Sequence, residues 1–86
     1  MAEKLLIVPS LAVARSIPGV HVDRRYGVLA QYRTDDGYLV LSNRQIRDGA
    51  VRGLVVSRVV LHMDAPPLTD ADRDELMPAL ITGGGA

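Results

Sequence analysis

The fold class is predicted from residues 26–42, which read YGVLAQYRTDDGYLVLS. In the first half, residues 26–33, every even-numbered position holds an apolar or aromatic side chain, whereas the odd-numbered positions hold mostly glycine or polar residues. This period of two is typical of a half-buried β-strand. The turn signal Asp36-Gly37 follows, because glycine readily adopts the positive φ that tight hairpins need. Residues 38–42 then return as the partner strand. We therefore predict an antiparallel hairpin with strands around residues 26–35 and 38–43.

The length of the hairpin loop sets the register. A two-residue loop at Asp36-Gly37 places Tyr32 opposite Leu41, so that Leu39 and Leu41 share a face with the apolar set of the first strand. A three-residue loop would place Tyr32 opposite Val40 and leave both leucines opposite polar side chains. If only one face of the hairpin is buried, the two-residue loop is favoured.

Two further strands are predicted around the hairpin. Residues 4–8 form a short apolar run that Pro9 stops. The run from Leu54 to Met63 is β-branched and almost continuously apolar, which is typical of a central strand covered on both faces. With the hairpin, these strands predict a small antiparallel β-meander sheet.

Short helices are possible at two places. Ser10 can cap a one- or two-turn helix that runs through Arg15 and ends before Pro18-Gly19. Residues 42–45, Ser-Asn-Arg-Gln, are either a capping box that opens a short helix or a polar loop, since Gly49 and Gly53 weaken any helix there.

The C-terminal segment carries the strongest helix signal. Thr69 is a suitable N-cap, and Asp70 and Asp72 lie where negative charge stabilises a first turn. We expect the helix to kink or restart at Pro78 and the glycine-rich residues 83–86 to form a tail. The predicted apolar stripe consists of Leu76, Met77, Leu80 and Ile81. The prediction is an α+β fold, one domain over residues 1–86, with this helix on one face of the sheet.

Composition narrows the class of protein. Eighty-six residues suffice for a single domain, and the absence of cysteine excludes disulfides, zinc-thiolate sites and a cysteine nucleophile. No apolar run approaches the roughly 20 residues that span a bilayer. Glu3 and Pro9 interrupt an N-terminal run that resembles an export signal, so we expect a small soluble protein in the cytoplasm or within a virion or other assembly. Arginine-rich composition with Lys4 as the only lysine suggests a GC-rich bacterium or its phage.

No catalytic motif is present. G-x-S-x-G, G-x-G-x-x-G and the P-loop pattern are all missing, so we expect neither an enzyme nor a cofactor. The pairs His21/Asp23 and His62/Asp64 share the His-x-Asp spacing and could bind one metal ion if the two segments met. Whether they meet is open from the sequence, and we expect no metal site.

The charges are segregated although the net charge is zero. Residues 15–58 hold eight arginines and four aspartates, whereas residues 64–75 hold five acidic residues and one arginine. One hypothesis is a nucleic-acid-binding accessory protein, since guanidinium groups match phosphate oxygens. The other is that the two regions are ordinary or self-complementary surfaces. The arginines of the first hypothesis are Arg24, Arg25, Arg33, Arg44, Arg47, Arg52 and Arg58.

The leading hypothesis is a non-catalytic protein–protein interaction module, as an assembly subunit or a small regulator, with a protein partner or a second copy of itself. A single good helix covers only one face of the sheet, so apolar surface is expected to remain for another chain. The candidate interface residues are Leu54, Val55, Val56, Val59, Val60 and Leu61.

Overall fold

A computed structural model describes residues 2–26 and 29–84 of the chain, with side chains described for residues 2–23 and 30–80. It is an α+β fold with a five-stranded sheet and a C-terminal helix. In chain order the elements are β1 (Glu3–Val8), α1 (Leu11–Ser16), β2 (His21–Tyr26), β3 (Leu29–Arg33), β4 (Tyr38–Ser42), α2 (Asn43–Arg47), β5 (Val56–Leu61) and α3 (Asp70–Gly84).

The sheet is mixed, with the strand order β2-β3-β4-β1-β5. β2, β3 and β4 pair antiparallel, whereas β1 pairs parallel with both β4 and β5. The prediction of a purely antiparallel meander is therefore wrong. Parallel neighbours require a crossover of about a dozen residues. The segment 43–55, which contains α2, supplies this crossover and lets β1 lie between β4 and β5.

The hairpin of β3 and β4 is confirmed, but its first strand begins at Leu29, because Tyr26 belongs to β2. The predicted register of the hairpin is also wrong. Tyr32 lies opposite Val40. The loop has three residues, because the Thr34 N–H donates to the Tyr38 carbonyl (2.9 Å) and the Gly37 N–H donates to the Thr34 carbonyl (3.0 Å). Gly37 has a φ of +92°, so a glycine is needed at the position that the sequence predicted. It is the last residue of a three-residue loop instead of a two-residue loop.

The register prediction failed because β4 is buried on both of its faces. Leu39 and Leu41 belong to one hydrophobic core and Val40 to another. With apolar residues on both sides, alternation no longer distinguishes a two-residue from a three-residue loop.

The two cores define the two faces of the sheet. The front face is covered by α2 and α3, and the back face is covered by α1. The buried front core consists of Leu5, Ile7, Leu39, Leu41, Ile46, Val51, Val56, Leu76 and Ala79. The smaller back core consists of Val8, Ala14, Tyr32 and Val40, with Leu6, Leu11, Ile17, Val20 and Ala30 packed against it.

β5 is an edge strand, whereas β1 is an interior strand between β4 and β5. This corrects the prediction that residues 54–63 form a strand with both faces covered. In β5 only Val56 is buried, whereas the three buried residues of β1, Leu5, Ile7 and Val8, have no exposed surface. Both strands are apolar runs, so their order in the sheet was not visible in composition.

Short-range hydrogen bonds begin all three helices. Ser10 Oγ accepts from the Val13 N–H (3.3 Å) at α1. At α2, Ser42 Oγ accepts from the Gln45 N–H (3.2 Å), and Gln45 Oε1 accepts from the Ser42 N–H (2.9 Å). This is the capping box, so of the two alternatives for residues 42–45 the helix is correct.

α3 begins after Thr69, as predicted, and Pro78 lies inside it. Thr69 Oγ1 accepts from the Asp72 N–H (3.2 Å), and Asp72 Oδ2 accepts from the Thr69 N–H (3.0 Å). Leu76 is buried, but Met77 is 50% exposed, so the predicted burial of Met77 is wrong. Met77 lies about 100° around the helix from Leu76, outside a contact stripe that also holds Ala79.

Candidate functional site

The two edges of the sheet differ in how they are protected. β2 carries His21, Asp23 and two arginines, and its register with β3 is shifted by a bulge between Val22 and Arg24. β5 reads VSRVVL and has one charged residue, Arg58; its own irregularity is confined to its first residues. Charges and bulges are common protection against edge-to-edge pairing. The edge of β5 from Arg58 onward therefore lacks most of the protection that β2 has.

At alternate residues of β5, the backbone N–H and C=O groups point outward in the plane of the sheet, away from β1. The His62 N–H donates to the Ile7 carbonyl of β1 (2.8 Å), which sets the phase of the parallel ladder. Because inward and outward residues alternate, the N–H and C=O groups of Val59 and Leu61 face outward. Within the described parts of the chain, these outward groups have no hydrogen-bond partner.

Exposed apolar side chains lie at the same edge. Among the residues with described side chains, five large hydrophobic residues are exposed, and three of them fall within residues 60–63. Val60 is 39% exposed on the back face next to Leu6, Leu61 is exposed opposite Ile7, and Met63 is 91% exposed. Apolar surface and unpaired backbone groups thus coincide at one place.

Only part of the predicted interface is accessible. Val56 is buried by its own chain, and Leu54 and Val59 pack against the front core. Val55 is half-buried. Val60 and Leu61 remain available. Met63, the last residue of the predicted strand, is also exposed but is not among the predicted interface residues.

The arginines of the nucleic-acid hypothesis do not share one face. Arg33 lies on the front face, where its Nη2 contacts Glu3 Oε2 (2.8 Å) and its Nε contacts Asp23 Oδ2 (3.3 Å). Burial lowers the pKa of Arg33, but its hydrogen bonds and charge interactions with the two carboxylates outweigh burial and raise it. Arg58 lies on the back face and donates from Nη1 to the Tyr38 hydroxyl (3.3 Å).

Two other arginines bind the acidic helix α3. Arg47 Nε lies 3.4 Å from Asp72 Oδ1, and Arg52 Nη2 lies 2.6 Å from Glu75 Oε1. The hydrogen bond from Arg52 lowers the pKa of Glu75. The basic and acidic regions of the sequence therefore partly pair with each other, because arginines in and just after α2 contact carboxylates of α3. Arg44 contacts Asp48 (3.8 Å), and the side chains of Arg24 and Arg25 lie outside the described residues.

Arg58 differs from these arginines because it has no carboxylate partner among the described residues. Its neighbour Tyr38 also contacts Lys4, whose Nζ lies 4.7 Å from the ring centroid. Lys4 Nζ donates to the Asp36 carbonyl (3.0 Å). The back face of β1, β4 and β5 thus ends in a small basic patch at Lys4 and Arg58.

The two His-x-Asp pairs do not meet. His21 lies on β2 and His62 follows β5, at opposite edges of the sheet. His21 Nδ1 lies 3.2 Å from Asp35 Oδ1, and His62 Nδ1 accepts from the Asp64 N–H (3.1 Å). The described residues contain no group of three potential metal ligands.

The larger surface groove does not point to a ligand. It has a volume of about 780 Å³ and is lined by Glu3, Asp23, Gln31, Arg33 and residues around them. Two arginines line it: Arg33 is paired with two carboxylates, and Arg15 has no ion pair among the described residues. Gln31 donates to Asp23 (3.4 Å). The unmatched charge of the groove is therefore the single cation Arg15, which does not by itself form a binding site.

None of the described helices is both long and apolar enough to cross a bilayer. No known protein family, no curated protein and no solved structure matches the chain.

Proposed function

We propose that the protein is a non-catalytic interaction module that binds another protein chain through the free edge of β5. The observation that carries the proposal is the coincidence of outward backbone groups at Val59 and Leu61 with exposed apolar side chains at Val60 and Leu61. A role as an assembly subunit or small regulator, in the cytoplasm or in an assembly of a GC-rich bacterium or its phage, belongs to the same proposal.

Strand addition is the mode of binding that fits this edge. An added strand contributes main-chain hydrogen bonds to the outward groups, and side-chain pairs on both faces provide specificity. Each hydrogen bond contributes about 1 kcal/mol net, so the apolar contacts of Val60 and Leu61 are needed for stable binding.

The nucleic-acid alternative has no comparable observation in its favour. Of its five arginines with described side chains, only Arg58 lacks an ion pair. The paired arginines would have to leave their carboxylates before they contacted phosphate.

The experiment compares two edge variants of matched exposure. Val60 on β5 and Val22 on β2 are 39% and 40% exposed, and both lie on the back face. Lysine at an edge opposes strand addition, so Val60→Lys should abolish binding, and Val22→Lys should preserve it. Leu61→Pro is a second blocking variant, because it removes an outward N–H and no bond to β1.

Binding is measured in two assays. Sedimentation equilibrium reports self-association, and selection of displayed extended peptides on sparsely immobilised chain reports binding of a foreign strand. Loss of either activity in Val60→Lys and Leu61→Pro, but not in Val22→Lys, supports the proposal. Absence of any β5-dependent association in both assays contradicts it.

A further inference from the structure

We infer that the occupant of this edge is a second copy of the chain, and that two β5 strands pair antiparallel with Val60 on the two-fold axis. The sheets then join into one continuous ten-stranded sheet. This inference rests on the proposed function and specifies the partner and the register.

The direction in which the backbone groups of β5 point restricts the registers that a two-fold symmetric dimer can have. Residues with outward backbone groups, Val59 and Leu61, must form the hydrogen-bonded pairs of the new ladder. A two-fold axis pairs one residue with itself and its neighbours with each other. The candidates for the axis within the regular part of the strand are Arg58, Val59, Val60 and Leu61.

Side-chain matching distinguishes these candidates. With Arg58 on the axis, two guanidinium groups face each other, which is destabilising. With Val59 on the axis, Val60 lies opposite Arg58, so an apolar side chain opposes a charge. With Leu61 on the axis, the paired segment shortens to residues 60–62, because β5 ends at Leu61.

The register with Val60 on the axis leaves no such mismatch. Val60 lies opposite Val60 of the partner subunit in a close, non-hydrogen-bonded pair, and Leu61 lies opposite Val59 of the partner subunit. On the back face, Leu6 and Val60 are neighbours on adjacent strands, and this apolar row continues across the interface into the equivalent row of the second copy. The exposed side chains of Val60 and Leu61 thus both receive apolar partners.

This register also gives Arg58 a complementary neighbour. Arg58 lies opposite His62 of the partner subunit, and in each copy His62 Nδ1 lies 4.0 Å from Asp64 Oδ2. Arg58 has no carboxylate partner among the described residues of its own chain, and the Asp64 side chain is mostly exposed. The pairing brings an unmatched cation toward an accessible carboxylate twice, once at each end of the interface.

Cysteine scanning tests the register directly, because the chain has no cysteine of its own. Only the residue on the axis meets its own copy, and a non-hydrogen-bonded pair has a Cα···Cα distance of about 4.5 Å, within the range of disulfides. Val60→Cys should form a disulfide dimer with oxidised glutathione at least tenfold faster than Arg58→Cys, Val59→Cys or Leu61→Cys. Val22→Cys is the control for equal exposure at the other edge.

A mixed experiment tests the flanking pair. Arg58→Cys and His62→Cys should form a mixed disulfide when combined, and each should form little homodimer alone. Faster self-linking of Arg58→Cys, Val59→Cys or Leu61→Cys than of Val60→Cys overturns the register.

The unmodified chain provides a measurement that requires no variant. Its sedimenting mass should rise with concentration from 9.3 kDa toward twice that value, and the amides of Val59 and Leu61 should become protected from hydrogen exchange over the same range. A chain that stays monomeric but still binds peptides at β5 overturns the second copy and leaves the proposed function standing. A monomer with no β5-dependent binding overturns both.

Discussion

Replacement of Asp72 by alanine should be among the most destabilising single changes to a polar residue in this protein. The Asp72 side chain has no exposed surface. Its Oδ2 accepts from the Thr69 N–H (3.0 Å), and its Oδ1 lies 3.4 Å from Arg47 Nε. One carboxylate thus caps α3 and joins it to α2.

The magnitude follows from these contacts. Alanine leaves the Thr69 N–H without its acceptor, which costs about 1–3 kcal/mol where water does not replace it. The pair with Arg47 adds only about 0.2–1 kcal/mol, because Arg47 is half-exposed and the pair is screened by solvent. The Thr69 hydroxyl still accepts from the backbone of residue 72. We expect a total loss of about 2 kcal/mol, a large share of the roughly 4–13 kcal/mol typical of a domain this size.

Asparagine at the same position separates shape from charge. Asp72→Asn keeps one oxygen that can accept from the Thr69 N–H, but an amide NH2 group replaces the oxygen that faces Arg47 Nε, so this variant loses the negative charge and the contact with Arg47. It should cost about half as much as Asp72→Ala. Burial raises the pKa of Asp72, but the hydrogen bonds from Thr69 and Arg47 outweigh it, and the net pKa is lowered. The stabilisation is therefore complete above the unfolded carboxyl pKa of about 3.9 and is lost as pH falls through the lower folded value. Asp72→Asn should lack this step of acid destabilisation.

The assay is urea denaturation followed by circular dichroism at pH 7 and again below pH 4. The control is Asp70→Ala, because Asp70 is in the same first turn but its side chain is 99% exposed. This control should cost about 0.5 kcal/mol or less. Equal losses for Asp72→Ala and Asp70→Ala would refute the reasoning, since the buried contacts would then contribute nothing.

Three further predictions concern the hairpin and the helices. Gly37→Val should cost on the order of 1 kcal/mol or more, purely from its positive φ, since a Cβ there meets no atom within 4 Å; Gly37→Asn should cost less, and equal unfolding free energies for the two variants would contradict this. Leu76→Ala should cost about 2–5 kcal/mol and Met77→Ala under about 0.5 kcal/mol, measured by urea denaturation; comparable losses would show that Met77 is buried after all. Ser42→Ala should cost about 1 kcal/mol by removing the cap of α2, with the exposed Ser16→Ala as the control; the interpretation fails if both variants melt at the same temperature.

Local features of the fold could be predicted from the sequence. The caps at Ser10 and Thr69 join residues three apart in the chain. The turn glycine at position 37 and the presence of a hairpin also depend on neighbours within a few residues. Such interactions form from one short segment, so the residue types of that segment are enough to predict them.

The order and direction of the strands were decided only by the tertiary structure. β1 and β5 are both apolar runs, and their composition does not say which is covered on both sides. The packing of α2 on the front and α1 on the back buried both faces of β4, and this removed the polar face on which the predicted register depended. The insertion of β1 between β4 and β5 made β5 the edge strand. It also left Val60 and Leu61 at a free edge, while Val56 went into the front core. Strand order depends on contacts between residues far apart in the chain, and a pattern of alternating side chains within one strand contains no information about its neighbours.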